Sequence, residues 1–298
     1  MEYRRCGADG PLLSALGLGC WQFGGGEYWG DCEQRDVEAV VRRAVELGIT
    51  YFDTAEAYND GRSESALGQA LKGLPRERLI IGSKVSPSNC YANTLVAHCE
   101  ASLRRLGLDW IDVYMVHWPI HPHSIRHFTD DQARMAAPPT VEEAFGALHR
   151  LKAEGKIRHL GVSNFGPARL REAMDLAPDL VADQLPYSLL LRGIEVEMLP
   201  LCRRLGVGVI GYMTLMQGVL AGRYASLDDV PPYQRRTRHF DARRSPLARH
   251  GGEGAEAETQ SALQAIAQLA AEAGLSMAEL ATKYALAREG IACCLVGA

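Results

Sequence analysis

A short phrase recurs along this chain and limits its possible folds more than any other feature. An amphipathic stretch ends in a glycine, and a short apolar run rich in β-branched residues follows. The phrase is repeated at Gly48, Gly107, Gly155, Gly206 and Gly290. Glycine just past a helix end can take the left-handed conformation that closes the last turn, and a short apolar run can be buried on both faces of a parallel sheet. The repeat therefore predicts βαβ units with right-handed crossovers.

The amphipathic stretches have the features of helices. Val37, Val41 and Ala44 fall on one face at helical spacing. Thr140 and Glu143 have the spacing of a capping box at the start of another helix.

The number of strand ends predicts an α/β fold, a (β/α)8 TIM barrel that forms a single domain over residues 1–298. The ends are expected near Cys20, Asp53, Val85, Val116, Val162, Gln184, Tyr212 and Gly297. A doubly wound sheet is the alternative, and it would need a G-x-G-x-x-G motif after the first strand. Gly17 and Gly19 lack the third glycine of that motif. The long loops 118–139 and 223–255 both follow strands, so in a barrel they lie over the C-terminal face, where barrel enzymes carry their sites.

Composition and charge exclude several classes of partner. The net charge of −4 over 298 residues gives no broad positive surface for nucleic acid or anionic membrane. No apolar run reaches the roughly 18 residues that span a bilayer, and Met1–Arg5 leads into no signal core. The eight cysteines form no C-x-x-C motif, so we expect reduced thiols and a cytoplasmic protein.

Four polar residues fall at or near the ends of the second, third and fourth strands: Asp53, Tyr58, Lys84 and His117. A barrel brings such positions together at one face. A free tyrosine has a pKa near 10 and is a poor acid at neutral pH, but a nearby ammonium lowers that pKa. Asp53 would keep Lys84 charged, and a neutral His117 can donate to a carbonyl oxygen. Together these groups can protonate a carbonyl as a hydride arrives.

The segments Asp53–Tyr58 and Gly61–Glu64 resemble the signature of the aldo-keto reductase family. The resemblance extends over nearly the whole chain. It implies an NAD(P)H-dependent reductase of aldehydes or ketones, or an enzyme that oxidises an alcohol or sugar in the reverse direction. It also implies that Tyr58 is the proton donor, that Lys84 lowers its pKa, that Asp53 pairs with Lys84 and that His117 orients the carbonyl.

The resemblance also implies a cofactor, NADPH, with NADH possible. Gly161–Phe165 is similar to the family segment whose Ser and Asn bind the carboxamide of the nicotinamide ring, and Gln184–Leu190 and Gln217–Arg223 are similar to the bacterial and channel-β-subunit-like branch. Glycines there let backbone N–H groups approach the pyrophosphate. The residues implied to bind cofactor are Gly19, Trp21, Ser163, Asn164, Gln184, Tyr212, Leu215, Gln217, Gly218, Leu220, Gly222 and Arg223.

By the same resemblance, Trp21 and Trp118 would flank the site of a carbonyl or sugar substrate, and we expect Tyr28 and Trp29 to add to that pocket. An aromatic pocket favours aromatic or apolar aldehydes, whereas packing in the core is the alternative role of either tryptophan.

The chain departs from the family pattern at two places. Met213 and Met216 stand where relatives carry a hydroxyl and a small residue. The sequence also stops at Ala298, as strand eight ends. In relatives an eighth helix follows strand eight and carries the residues that bind the adenosine of the cofactor. We expect this C-terminal helix to be absent from the chain.

Other functions stay open at this point. The chain could be a regulatory, cofactor-sensing subunit like the potassium-channel β subunits, which a homo-oligomer would suit. A lyase or aldolase with Lys84 as a Schiff base needs a neutral lysine, and Asp53 argues against one. The histidines at 117, 121, 123 and 127 fit no zinc motif, so no metal is predicted.

Overall fold

The computed structural model describes residues 1–248 and 250–298. An antiparallel hairpin of β1 (Tyr3–Arg5) and β2 (Leu12–Ser14) opens the chain. The strands that follow in the described residues are β3 (Leu16–Gly19), β4 (Tyr51–Asp53), β5 (Ile80–Val85), β6 (Ile111–Val116), β7 (Ile157–Ser163), β8 (Leu180–Pro186), β9 (Gly208–Tyr212) and β10 (Ile291–Val296). They pair in parallel in the order β10-β3-β4-β5-β6-β7-β8-β9 and close into a barrel. The predicted (β/α)8 barrel is therefore confirmed.

Helices alternate with the barrel strands, as the repeated phrase predicts. The helices of the described residues are α1 (Gln34–Glu46), α2 (Arg62–Ala70), α3 (Ala92–Leu106), α4 (Pro122–Ile125), α5 (Gln132–Ala136), α6 (Val141–Ala153), α7 (Pro167–Leu176), α8 (Met198–Leu205), α9 (Glu256–Glu272) and α10 (Met277–Leu286). No helix in the part of the chain described here is long and apolar enough to cross a membrane.

The local signals that predicted these elements have the expected geometry. The glycines of the repeated phrase all have positive φ, from 65° at Gly107 to 96° at Gly290. The capping box of α6 is present, since Thr140 Oγ1 accepts from the Glu143 N–H at 3.1 Å and Glu143 accepts from the Thr140 N–H at 3.3 Å.

Most predicted strand ends are correct to within one residue, and the sixth strand is the exception. β8 continues two residues past Gln184, because Leu185 pairs with Gly211 and Pro186 pairs with Tyr212. The loop 118–139 is also more regular than expected, since it contains α4 and α5. The loop 223–255 contains short 3-10 turns, of which Leu227–Asp229 is the first.

The hairpin, which the sequence did not predict, lies at the N-terminal ends of the barrel strands. The Ser14 N–H donates to Thr50 Oγ1 at 3.1 Å just before β4, and Arg4 donates to the Ile291 carbonyl at 3.1 Å at the start of β10. Cys6 and Leu13 are fully buried against the apolar side chains of the strands. The hairpin thus covers the end of the barrel opposite to the candidate site.

Contacts divide the chain into two compact units. The first, residues 1–186, 193–212 and 290–298, contains the hairpin, the whole barrel and helices α1 to α8. The second, residues 187–192 and 213–289, contains α9 and α10 around an apolar cluster that includes Leu220, Phe240 and Ile266. A single domain over residues 1–298 stays a prediction.

Candidate active site

The four predicted catalytic residues lie together at the C-terminal ends of neighbouring strands. Asp53 ends β4, Lys84 is the fifth residue of β5, and His117 directly follows β6. Tyr58 begins a tight turn after β4. Lys84 Nζ lies 2.6 Å from Asp53 Oδ1 and 3.3 Å from Tyr58 Oη, and it donates at 2.8 Å to the Thr54 carbonyl.

Lys84 is fully buried and remains charged. Burial by itself lowers the pKa of a lysine, but the Asp53 carboxylate and the Tyr58 oxygen outweigh that effect, so the pKa of Lys84 is raised. A charged lysine cannot attack a carbonyl, and this argues against a Schiff-base role.

The pKa of Tyr58 requires a correction to the sequence-based expectation. Burial raises this pKa and outweighs the lowering effect of the Lys84 ammonium, so the net shift is upward. The predicted effect of Lys84 has the right sign, but removal of water from around the hydroxyl is the larger effect. Tyr58 is consequently a protonated phenol at neutral pH.

The second oxygen of Asp53 is held by two neutral donors. Gln184 Nε2 donates to Asp53 Oδ2 at 2.7 Å, and the Tyr51 hydroxyl donates to it at 3.1 Å. Gln184, which is predicted to bind the cofactor, thus contacts Asp53 of the predicted catalytic group. Tyr51 was missed by the sequence reasoning, although residues two apart on a strand share a face, and this signal could have found it.

The His117 ring packs against two aromatic rings. Its ring centroid lies 5.5 Å from that of Tyr58 and 5.4 Å from that of Phe128. Phe128, in the loop after α4, has no signal in the sequence that marks it as part of the site.

The residues predicted to bind the nicotinamide form one hydrogen-bonded group. Asn164 Nδ2 donates to Ser163 Oγ at 2.9 Å and to the His117 carbonyl at 3.2 Å, and Asn164 Oδ1 accepts from the Tyr212 hydroxyl at 2.7 Å. Ser163 Oγ donates to the Gln184 carbonyl at 3.0 Å. Asn164 has φ of 62°, in a region that asparagine tolerates better than most residues. The structure therefore brings these residues together beside His117.

Aromatic rings gather on the loop after β3. Trp21 stacks on Tyr28 with centroids 4.8 Å apart, packs edge to face on Trp29 at 5.2 Å, and lies 5.8 Å from the Tyr58 ring. Asn59 holds this loop by donating at 2.8 Å to the Trp21 carbonyl. Two of the predicted substrate residues, Trp21 and Tyr28, thus lie together, and Trp21 also lies beside Tyr58.

Gly19 and Trp118 are the other predicted site residues of the first unit, and each lies next to a predicted catalytic residue. Gly19, at the end of β3, pairs with Asp53. Trp118 follows His117, and its ring lies 6.3 Å from that of His127. His121 Nδ1 accepts from the His123 N–H at 3.1 Å, and within residues 1–248 and 250–298 no three His, Cys, Asp or Glu side chains are grouped as metal ligands.

The other predicted cofactor residues belong to the second unit. Gln217 and Gly218 have positive φ, 55° and 96°, in a turn that spans Met216–Ala221. Leu220 is fully buried in the apolar cluster of that unit, and Leu215 packs against the cluster. Gly222, with φ of 69°, ends the turn before Arg223. The buried Leu220 side chain carries no polar atom, and the Leu220 N–H donates to the Leu215 carbonyl at 3.0 Å.

Comparison with known proteins finds relatives that agree in family. The model of the Aldo/keto reductase family matches residues 15–298. The NADH-specific methylglyoxal reductase of Escherichia coli K12 is 37% identical over 235 residues, which are 72% of this chain and 68% of that protein. The methylglyoxal reductase YeaE of the same organism is 38% identical over 214 residues, 71% of this chain and 66% of that protein. The chain thus spans about two thirds of the length of these relatives.

Solved structures agree in fold. The aldo/keto reductase from Klebsiella pneumoniae in complex with NADP and acetate is 28% identical, with a TM-score of 0.71 over 100% of this chain and 86% of that one. The match of the family model, the two relatives and the barrel lead to one conclusion. The chain belongs to the aldo/keto reductase family of NAD(P)-dependent oxidoreductases that act on carbonyl and alcohol groups.

Proposed function

We propose that the chain reduces aldehydes and ketones with NAD(P)H and that Tyr58 supplies the proton. The contact between Lys84 and Tyr58 carries this proposal. An ammonium has only donors, so at 3.3 Å the Tyr58 oxygen must accept from Lys84 Nζ. The O–H of Tyr58 is then left to donate to a different acceptor, and a substrate carbonyl oxygen is such an acceptor.

The surroundings of Tyr58 suit a general acid that is protonated before the reaction begins. Its raised pKa keeps the phenol protonated at neutral pH. When the proton passes to the carbonyl oxygen, Lys84 stabilises the phenolate that forms, because Asp53 holds Lys84 in its charged state. The His117 ring lies beside Tyr58, so an oxygen that accepts from Tyr58 is also within reach of the imidazole.

The donor set beside His117 fits a nicotinamide. A carboxamide needs both donors and acceptors, and Ser163, Asn164 and Gln184 offer a hydroxyl and two side-chain amides. Tyr212 adds an aromatic ring that is hydrogen-bonded to Asn164. When bound, the reduced nicotinamide supplies the hydride to the carbonyl carbon. Both NADPH and NADH are proposed, since a similar reductase is NADH-specific and a similar structure holds NADP.

The substrate class we propose is that of small aldehydes and 2-oxoaldehydes, with aromatic aldehydes as further candidates. Two similar proteins are methylglyoxal reductases. Trp21 lies beside Tyr58 and packs with Tyr28 and Trp29, and such an aromatic cluster binds apolar and planar groups.

The test follows the absorbance of reduced nicotinamide as the protein is mixed with methylglyoxal or benzaldehyde. Tyr58→Phe should lower kcat by about 10²- to 10⁴-fold, the usual contribution of general acid catalysis, and leave cofactor binding unchanged by fluorescence titration. Tyr3→Phe makes the same chemical change at the opposite end of the barrel and should leave kcat unchanged.

Turnover retained in Tyr58→Phe would contradict the proton-donor role. Cofactor binding by the wild type without turnover of any carbonyl would contradict the reductase and favour a cofactor-sensing subunit.

A further inference from the structure

A buried carboxylate stands two residues before the proposed proton donor and has no part in the chemistry above. Glu56 lies in the loop after β4 and is only 9% exposed. Its N–H donates to the Lys84 carbonyl at 3.2 Å, and the Tyr58 N–H donates to the Ala55 carbonyl at 3.0 Å in the turn that follows. Glu56 is therefore part of the short segment that sets the position of Tyr58.

The Glu56 side chain is held by three groups from the next stretch of chain. Oε1 accepts from the Ser86 N–H at 2.9 Å and from Asn89 Nδ2 at 2.8 Å, just after β5. Oε2 lies 2.7 Å from Nδ1 of His98 on α3. Burial raises the pKa of Glu56, but the contacts with His98, Ser86 and Asn89 outweigh burial, so the net shift is downward. The carboxylate is thus ionised at neutral pH.

The same cluster reaches the loop after β6. Arg134 on α5 donates through Nη1 to Asn89 Oδ1 at 2.6 Å and to the Ser88 carbonyl at 3.2 Å. Phe128 of that loop packs on His117. Glu56 and Asn89 consequently join three successive loops that surround the candidate site.

We infer that Glu56 is a positioning residue for Tyr58. Its carboxylate fixes the loop after β4 to the loop after β5 and so keeps the Tyr58 hydroxyl at hydrogen-bond distance from Lys84. The inference rests on the proposed role of Tyr58 as proton donor. A reacting group displaced by about 1 Å can slow a reaction on the order of 10²-fold, so loss of the carboxylate should affect kcat and spare cofactor binding.

The kinetic test compares Glu56→Ala, Glu56→Gln and the matched control Glu77→Ala, whose glutamate is exposed. Glu56→Ala should lower kcat by about 10- to 100-fold, with unchanged cofactor affinity, at a temperature well below its melting point. Glu56→Gln keeps an acceptor for Ser86 and Asn89, and His98 can accept from the new amide in its other tautomer. It should therefore recover most of the rate. A Glu56→Ala enzyme with wild-type kcat, or a Gln variant as slow as the Ala variant, would overturn the inference.

A second readout needs no turnover. In protein labelled with carbon-13 at the tyrosine Cζ, the Tyr58 resonance is the one missing from Tyr58→Phe. Glu56→Ala should shift this resonance and Glu77→Ala should not. If Glu56→Ala does not fold, Asn89→Ala, at a half-buried side chain, should give the same shift to a smaller extent. An unmoved Tyr58 resonance would refute the positioning role, whereas a wild type without turnover would refute only the proposed function.

Discussion

Lys84 is the residue on which both the charge and the geometry of the site depend. It is fully buried, and burial of an ammonium is costly unless it is paired and hydrogen-bonded. Its three N–H groups match three acceptors: Asp53 Oδ1, the Thr54 carbonyl and Tyr58 Oη. Each N–H group of the Lys84 ammonium therefore has an acceptor.

Removal of that lysine should destabilise the protein. Lys84→Met leaves the Asp53 carboxylate, only 2% exposed, without its cation, and breaking a buried pair costs about 3–5 kcal/mol. The double variant Lys84→Met/Asp53→Asn should regain part of that loss, because neither charge of this buried pair remains. Urea unfolding of the wild type, both single variants and the double variant measures the coupling. Strictly additive losses would contradict it.

For single residues, the sequence predicts which side chains meet at the site better than it predicts their pKa shifts. That Asp53, Tyr58, Lys84 and His117 lie together could be predicted, because the strand ends of a barrel meet at one face. Their catalytic roles stay a prediction. The upward pKa shift of Tyr58 could not be predicted, because it depends on how much water the folded loops remove from the hydroxyl. The pairing of Glu56 with His98 joins residues 42 positions apart, and no local pattern reports it.

Among the helices, α2 and α3 pack so closely that one glycine is required between them. A Cβ at Gly68 of α2 would lie 2.4 Å from the Leu106 carbonyl oxygen at the end of α3. Gly146 lies in the interior of α6 and is exposed, and a Cβ there would meet nothing within 4 Å. The two glycines occupy the same kind of element in opposite surroundings.

The same substitution should therefore have opposite effects at the two positions. Gly146→Ala should stabilise the protein by about 0.5–1 kcal/mol, because alanine loses less backbone entropy in a helix. Gly68→Ala should destabilise it by about 1–3 kcal/mol, because the added methyl group has to separate two packed helices. Thermal unfolding of both variants checks the signs. A stabilised Gly68→Ala protein would show that α2 can move away from α3 at little cost.

The elements that could be predicted are those that repeat a strong local signal. A glycine closes a helix before a buried strand, so the barrel strands were located to within about a residue or two. The hairpin of β1 and β2 escaped prediction because its three-residue strands are too short to show alternation. The helices α4 and α5 also have few residues, five at most, on which a helical period could be recognised.

On the scale of the whole molecule, contacts distant in sequence define two compact units. Residues 187–192 join residues 213–289, although a barrel strand lies between them in the chain. The sequence predicts a single domain because its eight strand ends suit one barrel, and contacts between distant residues leave no local pattern. The departures at Met213 and Met216 both fall within the second unit, where these residues have φ of 59° and 46°.

The buried thiols, which are spread through the barrel unit, should make the molecule sensitive to alkali. Burial raises the pKa of Cys6, Cys99 and Cys202 to about 12 each, against an ordinary value near 8.5. Below that ordinary value both the folded and the unfolded state keep the protons, so stability does not depend on these groups. Above it only the unfolded state loses them, so the free energy of unfolding falls by about 1.4 kcal/mol per pH unit for each thiol.

Urea unfolding in the presence of a reductant, between about pH 8 and pH 10, measures this slope. Cys99→Ala should reduce the slope by about one proton's worth, roughly 1.4 kcal/mol per pH unit, because one titrating thiol is gone. Ser102→Ala removes a buried hydroxyl from the same helix, α3, and should leave the slope unchanged since serine does not titrate in this range. A stability that stayed constant over this window would mean that the folded thiols titrate like unfolded ones. Equal slopes in the two variants would mean that a group other than Cys99 titrates.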